Sequence, residues 1–286
     1  MTLQGVIAAV PTPIGDDGKP RKEMFLAHCR HLLDNGCDGL NVLGSTGEAT
    51  SFSGAARREV MAWAAQNLPR ERMMVGTGSP SLAEAVAMTE VADDLGFPVA
   101  LVLPPWYYKP LSDDGLFAFY AALDKALGAR AIEVWFYDYP QLTGIRIPPA
   151  VIARLRALNP ARFGGIKDSS GDLDHCDTVL AAAPGIAVFP SSETSLEGGR
   201  ARGFAGCISA TANLTSALCQ RLWQGDTEVA AKVGRLRREI AARPLIPAVK
   251  HLVGRLHGDE GWRRVLPPFL PLDAAVAAGL ESEVPA

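Results

Sequence analysis

One lysine among seven occupies an unusual setting. Lys167 closes the apolar run Phe163-Gly164-Gly165-Ile166, whereas Lys19, Lys22, Lys109, Lys125, Lys232 and Lys250 fall in loops or helical stretches. An amine at the end of a buried strand loses its water, which lowers its pKa. A neutral amine attacks carbonyl carbon and forms a Schiff base. The plain alternative is a lysine paired with its neighbour Asp168 at the rim of a sheet, and position alone does not separate the two.

Other groups lie just after apolar runs. Gly44-Ser45-Thr46-Gly47-Glu48 offers two hydroxyls between two glycines, which lets backbone N–H groups and hydroxyls hold a carboxylate. A plain turn with capping hydroxyls fits that stretch equally well. Phe136-Tyr137-Asp138-Tyr139-Pro140 ends another run. Pro104-Pro105-Trp106-Tyr107-Tyr108-Lys109-Pro110 is a stiff loop with three aromatics, a composition suited to subunit packing. The five histidines (His28, His31, His175, His251, His257) show no metal-ligand spacing near these ends, so no metal is expected. No phosphate-binding glycine loop, HExxH or EF-hand pattern occurs, and no cofactor is expected.

These groups need a scaffold that brings run ends together. Eight short apolar runs recur: Val6–Val10, Gly39–Leu43, Met73–Val75, Val99–Leu103, Ile132–Tyr137, Phe163–Ile166, Ile186–Phe189 and Gly206–Ser209. Their continuous apolar character suits strands buried on both faces, hence a parallel sheet. Amphipathic stretches separate them. Ser81 to Leu95 is the clearest, with a Ser81/Glu84 capping box and a closing Gly96. Leu26 to Leu33 and Ala150 to Leu158 read similarly. The pattern predicts an α/β fold, a (β/α)8 TIM barrel over 1–213, with 214–286 forming a C-terminal helical region broken at Gly225, Pro244 and Pro267. A doubly wound sheet fits less well, because no glycine-rich loop follows the first run.

The chain has 286 residues, 28 basic and 31 acidic, for a net charge of −3. That balance argues against a nucleic-acid binder, which would show a basic stripe. No apolar run approaches the ~20 residues of a membrane span, and Met1 to Arg30 does not read as a signal peptide. Cys29, Cys37, Cys176, Cys207 and Cys219 form no CxxC pair, and they read as thiols in a reducing, cytoplasmic setting. The sequon at Asn213 means little in that setting.

Barrel active sites lie at the C-terminal ends of the strands, where these groups fall. With that order in view, the chain resembles the dihydrodipicolinate synthase and N-acetylneuraminate lyase family of class I pyruvate aldolases. The resemblance spans nearly the whole chain. It runs through Thr12-Pro13, Gly44 to Glu48, Gly76-Thr77-Gly78, Pro105-x-Tyr107-x-x-Pro110, Tyr137-x-x-Pro140 with Thr143-Gly144, Gly165-Ile166-Lys167-Asp168, Gly206 to Asn213, and Pro267 to Leu272. It implies that Lys167 forms the Schiff base with pyruvate or a related 2-keto acid. Tyr137 would be the acid/base at the imine, and Ser45 and Thr46 would hold the carboxylate. Ser45, Tyr137 and Tyr107 would form a hydroxyl relay, with Tyr107 reaching in from a neighbouring subunit. Ile208 would flank the bound keto acid. A homotetramer of tight dimers is implied, with Trp106 to Tyr108 in the tight interface.

Three positions depart from the synthase pattern. Leu142 stands where synthases carry the arginine that grips the aldehyde substrate's carboxylate, and a leucine makes no bidentate contact. Neuraminate lyases are apolar there. Asp138 replaces a common asparagine, and Pro80 replaces the asparagine of lysine-inhibited members. The resemblance therefore favours a lyase or dehydratase of a 2-keto-3-deoxy sugar acid or a 4-hydroxy-2-oxo acid. 4-Hydroxy-tetrahydrodipicolinate synthase is the alternative, and so is a non-catalytic paralogue that binds a keto acid.

Overall fold

The computed structural model describes residues 3–284. Eight parallel strands form one sheet in the order β7-β6-β5-β4-β3-β2-β1-β8. They are β1 Gly5–Ala9, β2 Gly39–Val42, β3 Met73–Gly76, β4 Val99–Val102, β5 Glu133–Asp138, β6 Gly165–Asp168, β7 Ala187–Pro190 and β8 Gly206–Ser209. The first and last strands pair along Gly5↔Gly206 to Ala8↔Ser209. On the remaining side Ala205 N–H donates to Val188 O at 2.9 Å, which brings β7 against β8 and nearly closes the barrel.

All eight expected strands are present; β8 has the expected bounds, and the ends of the others move by one or two residues. The shift at β6 is informative, because Lys167 lies inside the strand and not after it. The helices that follow are α1 Lys22–Asp34, α2 Gly54–Asn67, α3 Leu82–Asp94, α4 Asp113–Leu127, a single turn α5 Pro140–Thr143, α6 Pro149–Leu158, α7 Leu173–Ala182 and a short α8 Gly199–Arg202. Then come α9 Ala212–Trp223, α10 Ala230–Ala241, α11 Leu245–His257 and α12 Ala274–Glu283. Only half of the capping box forms at α3. The Ser81 hydroxyl accepts from Glu84 N–H at 3.4 Å, while Ser81 N–H donates to the Ser79 hydroxyl.

Two apolar layers hold the barrel. Strand residues facing outward pack with the helices, as Val6, Leu40, Val75, Val134 and Ile166 do. Inward residues fill the barrel interior, where Ile7, Met74, Leu101, Trp135 and Phe189 meet. Gly165 is required there. A Cβ on it would sit 2.5 Å from the Trp135 ring.

The boundary expected at 213/214 falls inside α9, which packs back on β1. Asn213 ties the two together: its Nδ2 donates to Ala9 O at 2.8 Å, and its Oδ1 lies 2.9 Å from His28 Nε2. Asn213 is buried, so its sequon is no glycosylation acceptor here. Beyond α9, helices α10 to α12 share a third apolar cluster around Ile240, Val249, Trp262 and Leu280. All five cysteines are buried and unbridged.

Candidate active site

Tyr137 and Lys167 are register partners on β5 and β6, and so are Asp138 and Asp168. Successive strand residues face opposite sides. Tyr137 and Lys167 therefore point into the barrel, and the two aspartates point out. Lys167 Nζ lies 4.4 Å from the centre of the Tyr137 ring. Lys167 is 4 % exposed, and no carboxylate pairs with it among the described residues. Burial, with the Arg237 charge adding to it, lowers its pKa to about 7. The Lys167–Asp168 ion pair, left open by the sequence, is absent. Asp168 instead accepts from Ser170 and lies 2.6 Å from His175 Nδ1.

Lys250 gives the contrast. It too is fully buried, but its Nζ donates to Glu48 Oε1 at 2.6 Å. Of the two buried lysines, one has a counter-ion and one is left as a free amine facing a cavity.

That cavity has a volume of about 260 Å³. The structure brings Ser45, Thr46, Tyr137, Leu142, Lys167 and Ile208 to its wall. Ser45 Oγ lies 3.3 Å from Tyr137 Oη. Burial raises the Tyr137 pKa, against opposing hydrogen bonds from Ser45 and Ser169, so the phenol keeps its proton at neutral pH. Tyr107 is not brought in. It is 75 % exposed on the β4–α4 loop, stacked edge-on against Tyr108.

The turn that presents Ser45 and Thr46 is strained. Leu43 and Glu48 flank it at φ of 53° and 54°, a region that favours glycine. It is pinned from two sides. Thr12 Oγ1 donates to Gly47 O at 2.9 Å. Gly76 lets β3 pass beneath, since a Cβ there would meet Leu43 O at 2.1 Å. These contacts give structural reasons for Thr12 and for the glycine that ends β3.

Behind the strands, the outward layer holds a buried cluster that sequence reading missed. Asp138, Asp168 and His175 converge between β5, β6 and α7. His175 stands one turn into α7, so no spacing to the strand end flagged it. Its Nδ1 meets Asp168 at hydrogen-bond distance and its Nε2 lies 3.2 Å from Ile147 O. Burial disfavours the imidazolium, but the Asp168 carboxylate overrides this and holds the His175 pKa above its ordinary value. Asp138 Oδ1 accepts from Ile147 N–H at 2.8 Å, while Oδ2 has no hydrogen bond. Burial, with Asp168 nearby, pushes Asp138 up to about 6 from 3.8.

A raised folded pKa means that the native state binds more protons than the unfolded chain between those two values. Stability then falls as pH rises through that window, and the penalty is complete above it. Asp138→Asn keeps the Ile147 contact and removes the charge. We expect it to raise the melting temperature at pH 7.5 and leave it nearly unchanged at pH 4. An equal gain at both pH values would contradict this origin.

Arg146 does not replace the arginine missing at 142. Its guanidinium turns to Asp172 at 2.9 Å and Asp138 at 3.7 Å, away from the cavity. The cavity wall instead includes Arg237 from α10, together with Ser169, Ser191 and Phe269. Of these only Phe269 lies in a stretch that the sequence singled out, Pro267 to Leu272, and no role was assigned to it there. Arg237 sits in a basic helical stretch with Arg235 and Arg238, and only the fold shows which of the three faces inward.

A strand-borne, uncompensated lysine beside a tyrosine thus lies at the C-terminal mouth of a (β/α)8 barrel, an arrangement with the chemistry that a Schiff base requires. Comparison with known proteins places it further. The model of the dihydrodipicolinate synthetase family matches residues 2–285. A DapA-like lyase of uncharacterized function from Chloroflexus aurantiacus is 33% identical over 98% of this chain and 95% of its own. The 4-hydroxy-tetrahydrodipicolinate synthase of Listeria welshimeri is 33% identical over 99% and 98%. The crystal structure of dihydrodipicolinate synthase from Agrobacterium tumefaciens superposes with a TM-score of 0.92 at 30% identity, covering 98% of this chain and 97% of that one. The chain belongs to the dihydrodipicolinate synthetase family. It is a lyase of the class I, pyruvate-dependent type. Among the described residues no helix is long and apolar enough to cross a membrane.

Proposed function

We propose that this lyase cleaves or dehydrates a 2-keto-3-deoxy sugar acid or a related 4-hydroxy-2-oxo acid through an imine on Lys167. The observation that carries this reading is the buried amine, unpaired and facing a cavity, with Tyr137 and Ser45 in hydrogen-bond sequence beside it.

The roles follow from the chemistry. Neutral Lys167 attacks C2 of the keto acid, and the carbinolamine loses water to give a protonated imine. Tyr137 supplies the proton for that departure, with Ser45 as its hydroxyl partner. Ser45 and the Thr46 backbone hold the carboxylate, and Ile208 flanks the keto acid. In cleavage, the C4 hydroxyl gives its proton to the Tyr137 phenolate left by imine formation, the C3–C4 bond breaks with C4 leaving as an aldehyde, and the bond's electrons pass into the imine to form an enamine. Protonation at C3 and hydrolysis release pyruvate. In dehydration, the C3 proton leaves and the C4 hydroxyl departs as water. Tyr107 acts from a neighbouring chain of a homotetramer, in which Trp106 to Tyr108 form the tight interface. Its exposure in the single chain supports this, and a light-scattering mass of four chains checks it. A cytoplasmic location agrees with five free thiols.

The apolar Leu142, 62 % exposed at the cavity rim, disfavours the synthase reading. Borohydride reduction with pyruvate should leave a stable pyruvyl adduct on Lys167, located by peptide mapping. A folded protein that yields no adduct overturns the imine. Robust condensation of pyruvate with aspartate semialdehyde would instead return the protein to the synthases.

A further inference from the structure

The wall of the cavity carries a cation that the proposed chemistry leaves unused. Arg237 reaches in from α10 with its side chain 26% exposed. Its inner end is fixed. Nη1 donates to Glu193 Oε2 at 2.8 Å and to the hydroxyls of Ser209 and Thr211 at 3.2 Å each. Glu193 is fully buried, and its other oxygen accepts from the Thr211 hydroxyl. This anchor holds the guanidinium in one orientation.

All three of these hydrogen bonds use Nη1. Among the described residues no partner is found for Nε or Nη2. Those two nitrogens form one edge of the guanidinium, the two-pronged donor fork that matches the two oxygens of a carboxylate. No aspartate or glutamate lines the cavity to occupy it. Arg237 also forms part of the wall of a second cavity of about 310 Å³, and the two cavities share Ser169, Ser191 and Arg237. The second is lined by the hydroxyls of Ser170, Ser192, Thr194 and Ser195, with Asp168 and Asp172 also on its wall, so an added carboxylate is better placed in the first.

We propose that Arg237 is a specificity-determining residue that reads a second carboxylate at the far end of the substrate, so that the keto acid is a dicarboxylate. The inference rests on the keto-acid reading of this site. It assigns to α10 the task that Leu142 cannot perform. Ser169 and Ser191 line the same cavity as Lys167 and Arg237, and their hydroxyls suit a hydroxylated chain between two carboxylates. A single arginine matches a singly charged carboxylate, whereas a phosphate dianion would call for a second cation beside it, and the wall's other basic group, Lys167, is taken up by the imine.

Calorimetric titration at pH 7.5 tests this with matched probes: 2-oxoglutarate against 2-oxopentanoate, and 2-oxoadipate against 2-oxohexanoate. The wild-type protein should bind at least one diacid about 10–100-fold more tightly than its monoacid of equal length, the scale of a charge-assisted hydrogen-bonded pair. Arg237→Gln should bring that ratio close to one. Arg237→Lys keeps a counter-charge for Glu193 but loses the fork, and should lower the ratio. It carries the assignment should the glutamine variant fail to fold. A wild-type ratio near one for both pairs overturns the proposal, as does a ratio that survives both substitutions. Heats of binding need no trapped imine. Failure of pyruvate trapping therefore sinks the Schiff-base reading without touching the ratio, and a ratio of one sinks the dicarboxylate without touching the imine.

Discussion

Lys167→Met will lose turnover by about 10³-fold or more, the scale on which a removed nucleophile acts, and will gain stability at the same time. The first effect follows from the reaction, since methionine cannot form the imine and no other cavity residue has an amine. The second follows from burial. The Lys167 amine has a folded pKa of about 7 against an ordinary 10.5. Between those values the unfolded chain holds a proton that the native state lacks, so wild-type stability rises with pH across that window. Below it the native protein carries the uncompensated buried charge at full cost, on the order of a few kcal/mol. Methionine has nearly the same shape and no charge. The melting temperature of Lys167→Met should exceed that of the wild type by several degrees at pH 6, and the gap should close toward pH 10. A gap independent of pH would mean that the charge is not buried in solution. A stable, inactive variant also separates the imine reading from simple unfolding, which lost activity alone does not.

The same contrast shows what the sequence could reveal. Lys167 was legible because it ended an apolar run, and a charged group there needs a reason. Lys250 was not, because a lysine within a helical pattern usually projects into solvent. Only the packing of α11 against the barrel shows it buried. Strand order and site position were legible from continuous apolar runs and the residues that follow them, a local signal. Arg237 and His175 were not, because their function depends on which face of a helix meets which loop. That is decided by packing between segments far apart in sequence. Glu193 and Arg237 are 44 residues apart, and the Asn213–His28 contact spans 185. Glu48 belongs to a stretch whose hydroxyls drew attention as ligands, yet its own carboxylate turns away from the cavity, toward α11.

That turn sets up the second large effect. Glu48 and Lys250 are both fully enclosed, with side chains 0% exposed. Burial lowers the Lys250 pKa, against the opposing Glu48 charge. The second Glu48 oxygen accepts from Leu266 N–H at 2.6 Å, so one carboxylate joins the strained turn after β2, helix α11 and the segment leading to Pro267. Ser51 Oγ adds a contact to Pro267 O at 3.3 Å. Two residues on, Phe269 lines the cavity. Lys250→Met removes one partner and leaves a buried carboxylate with a single N–H donor. Breaking a buried pair in this way costs about 3–5 kcal/mol. Urea unfolding should show that loss, and the Michaelis constant for the keto acid should rise as Phe269 and the Ser45-Thr46 turn lose their common anchor. Glu48→Gln/Lys250→Met removes both charges and keeps an acceptor for Leu266, so it should recover much of the stability. A single variant as stable as the wild type would show that water reaches the pair. A double variant no better than the single would show that the ionic link itself, and not the avoidance of a lone buried charge, holds the C-terminal segment over the site.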